Sequence, residues 1–107
     1  MIDNSNTFLY ILSNTFDKVV VEWDAKKSLS NLAKHHISFE TAANVFADPF
    51  RIEYYDEKNS VDEDRYITLG LVERVLFVVY TMRGEKYRII SARLANAKEE
   101  EAYYGNC

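Results

Sequence analysis

The chain is poor in the residues that punctuate or staple small proteins. Its 107 residues include one Cys, one Pro and three Gly. A lone cysteine, Cys107, excludes an intrachain disulfide framework and any zinc site built on cysteines. It fits a reducing compartment. So little Pro and Gly excludes collagen-like, low-complexity and loop-dominated chains. Long apolar runs are missing too. The longest, Leu69 to Val72 and Val75 to Met82, fall well short of the roughly 20 residues that span a bilayer. Phe8 to Leu12 is too short for a signal-peptide core, and no Lys or Arg precedes it. The expectation is a soluble, cytoplasmic protein with no membrane contact.

What is present suits one globular domain. The chain is 48% hydrophobic, 14% aromatic and 28% charged, too apolar and aromatic for a disordered segment. Net charge is −4 and the pI about 5.1, which argues against a simple nucleic-acid coat. The charges are unevenly spread. Residues 25–36 hold Lys26, Lys27, Lys34, His35 and His36 and no acid. Residues 75–98 hold Arg83, Lys86, Arg88, Arg93 and Lys98 against Glu85 alone. Acids gather at 53–64 and 99–101. Such runs are usually solvated faces, but two basic segments leave room for a local anion site.

Residues 1–17 read as an N-terminal extension, with Phe8, Leu9, Ile11, Leu12 and Phe16 suggesting a helix at 7–15 behind caps at 4–7. Val19 to Trp23 is β-branched and aromatic, a strand. Asp24 then caps a helix whose inward stripe is Ala25, Leu29, Leu32, Ala33 and His36. Ser38 caps a second helix, with Phe39, Ala42, Ala43 and Phe46 inward, and Asp48-Pro49 ends it. From Phe50 the period changes to two. Four strands follow, with an acidic loop at 56–63 and Gly70 marking a bulge or a close approach. Asn96 and Glu99 have capping-box spacing, opening a last helix at about 97–104. The order predicts an α+β fold. Its sheet is mainly antiparallel, a short N-terminal strand plus a four-strand meander, packed with two N-terminal helices and one C-terminal helix.

The candidate chemistry is cationic. Adjacent His35 and His36 point about 100° apart on a helix and do not suit one metal ion, so no metal is expected. The bland reading has His36 half-buried and His35 at the helix C-terminus; the functional one has Lys34 or His35 contacting a phosphate or moving a proton. Arg88 and Arg93 lie an odd number apart on one strand, which places them on opposite faces. Each reads as a structural ion pair or as a phosphate clamp, and Arg65 invites the same two readings. The side shared by Arg88, Ile90 and Ala92 is the more apolar, which makes Arg93 the functional arginine and Arg88 the structural one. At least two of Arg65, Arg83, Arg88 and Arg93 are expected within one phosphate's reach of each other or of Lys34-His35. The tyrosines read as core and interface filling. No Gly-rich phosphate loop and no dinucleotide fingerprint is present, and no cofactor is expected.

Taken together, the motifs resemble the BrnT toxins of bacterial type II toxin–antitoxin systems. The matching residues are Val21-Glu-Trp-Asp24, Lys26, Asn31-Leu-Ala-Lys-His35, Ile37-Ser-Phe-Glu-Thr-Ala42 and Val45-Phe-Ala-Asp-Pro49. Glu63-Asp-Arg-Tyr-Ile67, Gly70-Leu71, Val78-Val79, Thr81 and Arg83 follow. Arg88-Ile-Ile-Ser-Ala-Arg-Leu-Ala95 and Glu101-Ala-Tyr103 complete the pattern. Their order and spacing are specific over roughly 19–104. The resemblance implies a RelE-like fold for residues 18–107. It also implies metal-independent RNA cleavage that halts translation, and neutralisation by a ribbon–helix–helix antitoxin that brings the only DNA binding. A homodimer, or a heterotetramer with the antitoxin, would fit. Arg93, Arg65, His35 and Lys34 are then the expected catalytic set, and Arg83, Arg88 and Lys27 the RNA-binding set. The alternative is an inactive relative that serves as the binding partner of a DNA-binding antitoxin. His36 stands where the family often has Gly.

Overall fold

A computed structural model describes residues 7–13 and 18–106. The expected caps at positions 4–6, Phe16 and Cys107 lie outside them. The elements run β1 (Thr7–Ser13), β2 (Lys18–Asp24), α1 (Ala25–His35), α2 (Phe39–Ala43), a 3-10 turn (Asn44–Ala47), β3 (Ile52–Tyr55), β4 (Tyr66–Val72), β5 (Arg74–Arg83), β6 (Lys86–Leu94) and α3 (Ala97–Asn106).

The fold is α+β, but two expectations fail. Residues 7–13 form a strand, not a helix: with few β-branched neighbours of its own, this segment is decided by the free edge of β2, which it pairs from end to end. The six-stranded sheet, in the order β1-β2-β6-β5-β4-β3, is also mixed, because β2 joins β6 in parallel at Val21–Tyr87 and Glu22–Arg88. The two helices between β2 and the later strands carry the chain back across the sheet, which is what a parallel neighbour requires.

Side chains alternate across the sheet. Val21, Trp23, Leu76, Val78, Tyr80, Ile89 and Ala92 face α1, α2 and the 3-10 turn, and with Ile37, Phe39, Val45 and Phe46 they make the main core. Gly70 belongs to this side. A Cβ there would stand 2.7 Å from the Val45 Cβ, so the glycine marks a close approach rather than a bulge. Among the described residues, the opposite face is covered only at one end, where Leu69, Val75 and Phe77 meet Tyr103 of α3.

Helix caps follow the sequence. The Asp24 carboxylate accepts from Lys27 N–H at 3.0 Å, and Ser38 Oγ from Thr41 N–H at 3.1 Å. Asn96 and Glu99 form the reciprocal box, at 2.8 and 2.9 Å. Helix α1 closes without glycine: His36 takes the left-handed conformation, φ 61°, and donates its N–H to Leu32 O. It is exposed and His35 is half-buried, the reverse of the expected arrangement.

The phase of α1 departs furthest from expectation. Leu29 is 69% exposed and Leu32 43%, while Asn31 is 7% exposed. Beyond Arg88 the β6 edge has no strand beside it, since β2 has already turned into α1 at Asp24. Asn31 fills the gap. Its Nδ2 donates to Ala92 O at 2.8 Å and to Ile37 O at 3.0 Å, and its Oδ1 accepts from Ala92 N–H at 3.1 Å. The side-chain amide stands in for a neighbouring strand. A buried backbone group left unpaired costs about 1–3 kcal/mol, so this requirement competes with burying two leucines.

Candidate functional site

A β-bulge decides which cations share a face. Strand β5 pairs Phe77 with Arg93 and Val79 with Ser91, then Tyr80 with Ile89 and Thr81 with Arg88. Ile90 is left without a partner, and the alternation of β6 inverts there. Arg88 and Arg93 therefore lie on the same face, not on opposite ones.

That face is the partly uncovered one. Across it, Leu9 pairs with Glu22, Glu22 with Arg88, and Arg88 with Thr81. Arg65 precedes Tyr66, which pairs with Tyr80, so alternation brings it opposite Thr81. Thr81 Oγ1 also donates to Asp64 O at 2.6 Å. With strands about 4.8 Å apart, the Arg65 and Arg88 backbones flank Thr81 roughly 10 Å from each other. In the next row Arg83 pairs with Lys86.

Three of the four arginines already hold carboxylates. Arg88 bonds Glu22, whose other oxygen lies 3.9 Å from Lys86 Nζ. Glu22 is 7% exposed and so sits as a nearly buried anion between two cations. Arg83 bonds Glu63 at 3.3 Å in solvent, a pair of little strength. Among the described residues Arg65 forms no ion pair; it lines a shallow groove with Asn59, Asp62 and Glu63.

Arg93 is engaged differently. Its guanidinium lies 3.8 Å over the Phe77 ring and donates to both Glu99 oxygens, at 2.8 and 3.0 Å. Hydrogen bonding from Arg93 holds the Glu99 carboxyl below its usual range, against some desolvation. The same helix is held further along by Tyr103, whose hydroxyl donates to Asp48. Partial burial works to raise the Asp48 pKa. The bonds from Tyr103, Leu71 N–H and Phe50 N–H outweigh it and bring the carboxyl below its ordinary value. Arg93 and Asp48 together fasten α3 to the sheet.

Lys27, Lys34 and His35 are placed elsewhere. With Ser30, Asn31, Ile90 and Ser91 they line a groove of about 280 Å³ between α1 and the β6 edge. The two lysines stand two turns apart on one side of the helix, and no acid lines the groove. Lys34 and His35 also occupy the last turn, where the helix dipole favours positive charge. The structure thus divides the expected catalytic set. Arg65 stands on the open sheet face, Arg93 at the α3 clamp, and Lys34 and His35 in the helix groove. Ser91, at the bulge, belongs to the open face by register and also lines the groove.

Sequence reasoning missed Glu22, Lys86 and Asn31. Lys86 lies in no motif, and Glu22 and Asn31 stand inside the resembling segments without a role assigned to them. Only the parallel β2–β6 pairing sets Glu22 beside Arg88. Among the described residues no group of three His, Cys, Asp or Glu side chains could hold a metal ion.

Residues 23–99, more than half of the chain, match the family described as the ribonuclease toxin, BrnT, of type II toxin–antitoxin systems. The chain belongs to the BrnT family. The crystal structure of the Brucella abortus ribonuclease toxin, BrnT, is similar over 69% of this chain and 92% of that one, with a TM-score of 0.56 and 22% identity. At that identity the likeness speaks for the fold. No curated protein sequence matches the chain. The BrnT match begins at Trp23, so β1 and all of β2 except its last two residues lie outside it.

Proposed function

We propose that this protein cleaves RNA without a metal ion and that the RNA lies across the open sheet face. The observation that carries the reading is the row Arg65–Thr81–Arg88–Glu22. It sets two arginines around one small buried side chain, with a carboxylate beside them. Cleavage needs the 2′-hydroxyl to attack the adjacent phosphorus, a base for its proton, and cations for the charge that builds on the phosphoryl oxygens. The P–O5′ bond breaks, the departing 5′-oxygen takes a proton from the protonated base or from water, and a cyclic 2′,3′-phosphate and a free 5′-hydroxyl remain.

Arg65, Arg83 and Arg88 take the phosphate in this reading. A phosphate that displaces Glu22 from Arg88 frees the carboxylate beside the reacting group, so Glu22 serves as the base. Lys27, Lys34 and His35 hold the strand where it passes the β6 edge at Ser91. Arg93 acts through α3. The partner is a ribbon–helix–helix antitoxin that covers this face and supplies the DNA binding, which a chain of charge −4 does not favour on its own. The site of action is the cytoplasm.

Carboxylates on Arg83, Arg88 and Arg93 favour a second reading, an inactive relative that only binds the antitoxin. Purified chain, single-stranded RNA and excess chelator separate the two. Wild type should cut the RNA, leaving cyclic phosphate ends. Arg65→Ala, which removes no ion pair among the described residues, should cut about 100-fold more slowly or worse with an unchanged melting temperature. Full activity of Arg65→Ala overturns the assignment, and no cleavage by wild type installs the second reading.

A further inference from the structure

Among the described residues, nothing pairs with the outer edge of the sheet at β1. β1 is the terminal strand of the sheet, and its sequence, Thr-Phe-Leu-Tyr-Ile-Leu-Ser, contains no charge, Pro or Gly. Phe8 is 53% exposed, Leu9 60% and Ile11 55%. Natural sheets guard such edges with charge, proline, bulges or very short strands, and β1 has none of these. Its pairing with β2 is regular over all seven residues. The opposite edge, β3, is guarded. It has four residues, carries Glu53, and holds that carboxylate against Arg51 at 3.0 Å.

β1 is also held in place. Phe8 stacks on Trp23 with ring centroids 6.5 Å apart, and Tyr10 packs on the same indole at 6.3 Å. Trp23 is 4% exposed and anchored in the main core. About half the residues of an antiparallel strand turn both N–H and C=O toward one neighbour. Half of β1's backbone groups therefore point away from β2.

We propose that β1 pairs antiparallel with β1 of a second copy, about a two-fold axis at Tyr10, to make one continuous sheet of twelve strands. The occupant follows from chemistry. With the axis at Tyr10, Leu9 falls opposite Ile11 of the second copy, and Phe8 opposite Leu12. Each apolar side chain meets an apolar one on its own face. The edge carries no charge for an acidic or basic partner strand to read. Two copies of charge −4 repel each other on approach, and this uncharged strip is where that repulsion is least opposed to contact. The family match starts at Trp23, so β1 lies outside the matched residues. A two-fold axis across the edge turns the same sheet face of both copies to the same side. The contact is short for a stable interface, so the dimer dissociates on dilution.

The test is the mass of the full-length chain by sedimentation or light scattering, from low to high micromolar, free of antitoxin. Wild type should move from monomer to dimer, and added salt should not dissociate it. Leu9→Lys with Ile11→Lys sets lysine against lysine twice across the axis and should weaken the dimer at least about tenfold. Leu9→Glu with Ile11→Glu should do the same. Mixing the two variants should restore a one-to-one heterodimer that salt now weakens. The substituted side chains are mostly exposed, so melting temperatures should stay within a few degrees. If either variant fails to fold, wild-type amide exchange decides: outward β1 amides should be protected at high concentration and not at low. A chain monomeric throughout, an undiminished lysine variant, or a mixture that does not recover overturns the proposal.

Discussion

Replacing Asn31 by Leu should be among the most damaging single changes in this protein, although it turns a polar helix residue into an apolar one. The amide makes three hydrogen bonds, two to Ala92 and one to Ile37 O. Leucine satisfies none of them and cannot follow the flat path of the amide against β6. The Ala92 N–H and C=O then lose their partner where residue 92 is 1% exposed. At about 1–3 kcal/mol for each group left unsatisfied, the loss is roughly 3–5 kcal/mol. That is a large share of the roughly 5–15 kcal/mol that holds a domain of this size together. It corresponds to a fall of about 15–30 °C in melting temperature. Leu29→Asn is the matching control. A leucine facing the core would cost about 2–5 kcal/mol, whereas Leu29 is 69% exposed and its loss should stay within about 0.5 kcal/mol. Urea unfolding followed by Trp23 fluorescence measures both. Asn31→Leu within 1 kcal/mol of wild type (about one hydrogen bond's worth) refutes the strand-surrogate account. A costly Leu29→Asn refutes the observed phase of α1.

Thr68 is fully buried on the core side, and its hydroxyl has no hydrogen-bond partner among the described residues. Thr68→Val keeps the shape and removes the orphaned group, so stability should rise by about 1 kcal/mol in the same urea assay; a loss would show that the hydroxyl is bonded in solution. Asp48 and Glu99 both have folded pKa values below their ordinary 3.8 and 4.5. Their contribution is complete above the unfolded values and disappears as the pH falls through the depressed ones. Protection factors of the α3 amides, with the intrinsic pH dependence of exchange divided out, should therefore be flat near neutrality and fall in acid before the main core opens, and Asp48→Asn should flatten that dependence.

Most of the fold was legible because its signals are local. Asp24, Ser38 and the Asn96–Glu99 box each announce a helix start within three or four residues of sequence. The change of period after Phe50 announces the strands. What failed depends on partners distant in sequence. β1 is a strand because β2 offers an edge. α1 turns its asparagine inward because β6, 61 residues on, lacks a neighbour. The candidate site was legible as residue types and not as an arrangement. Parity counted along β6 assumes an unbroken ladder, and the extra residue Ile90 brings Arg88 and Arg93 to one face instead of two. A bulge inside a strand with neither Gly nor Pro leaves no mark that a sequence reader can use.

The bulge also bears on how an acidic protein would hold RNA. On an unbroken strand Arg88 would face the helices, where a guanidinium is costly to bury. The inversion at Ile90 puts Arg88 beside Glu22 and keeps Ile89 and Ala92 in the core. Four arginines then share one face, yet Arg83, Arg88 and Arg93 each carry a carboxylate, so the resting surface gains little positive potential. A phosphate binding there exchanges one anion for another on the same guanidinium. The net Coulombic gain is small, and fit across the Arg65–Arg88 row has to supply the selectivity. Arg65, without a paired carboxylate among the described residues, is where an incoming phosphate gains attraction without first displacing a partner. Affinity should then depend on Arg65 more steeply than on Arg83, whose exposed pair with Glu63 is already screened by water.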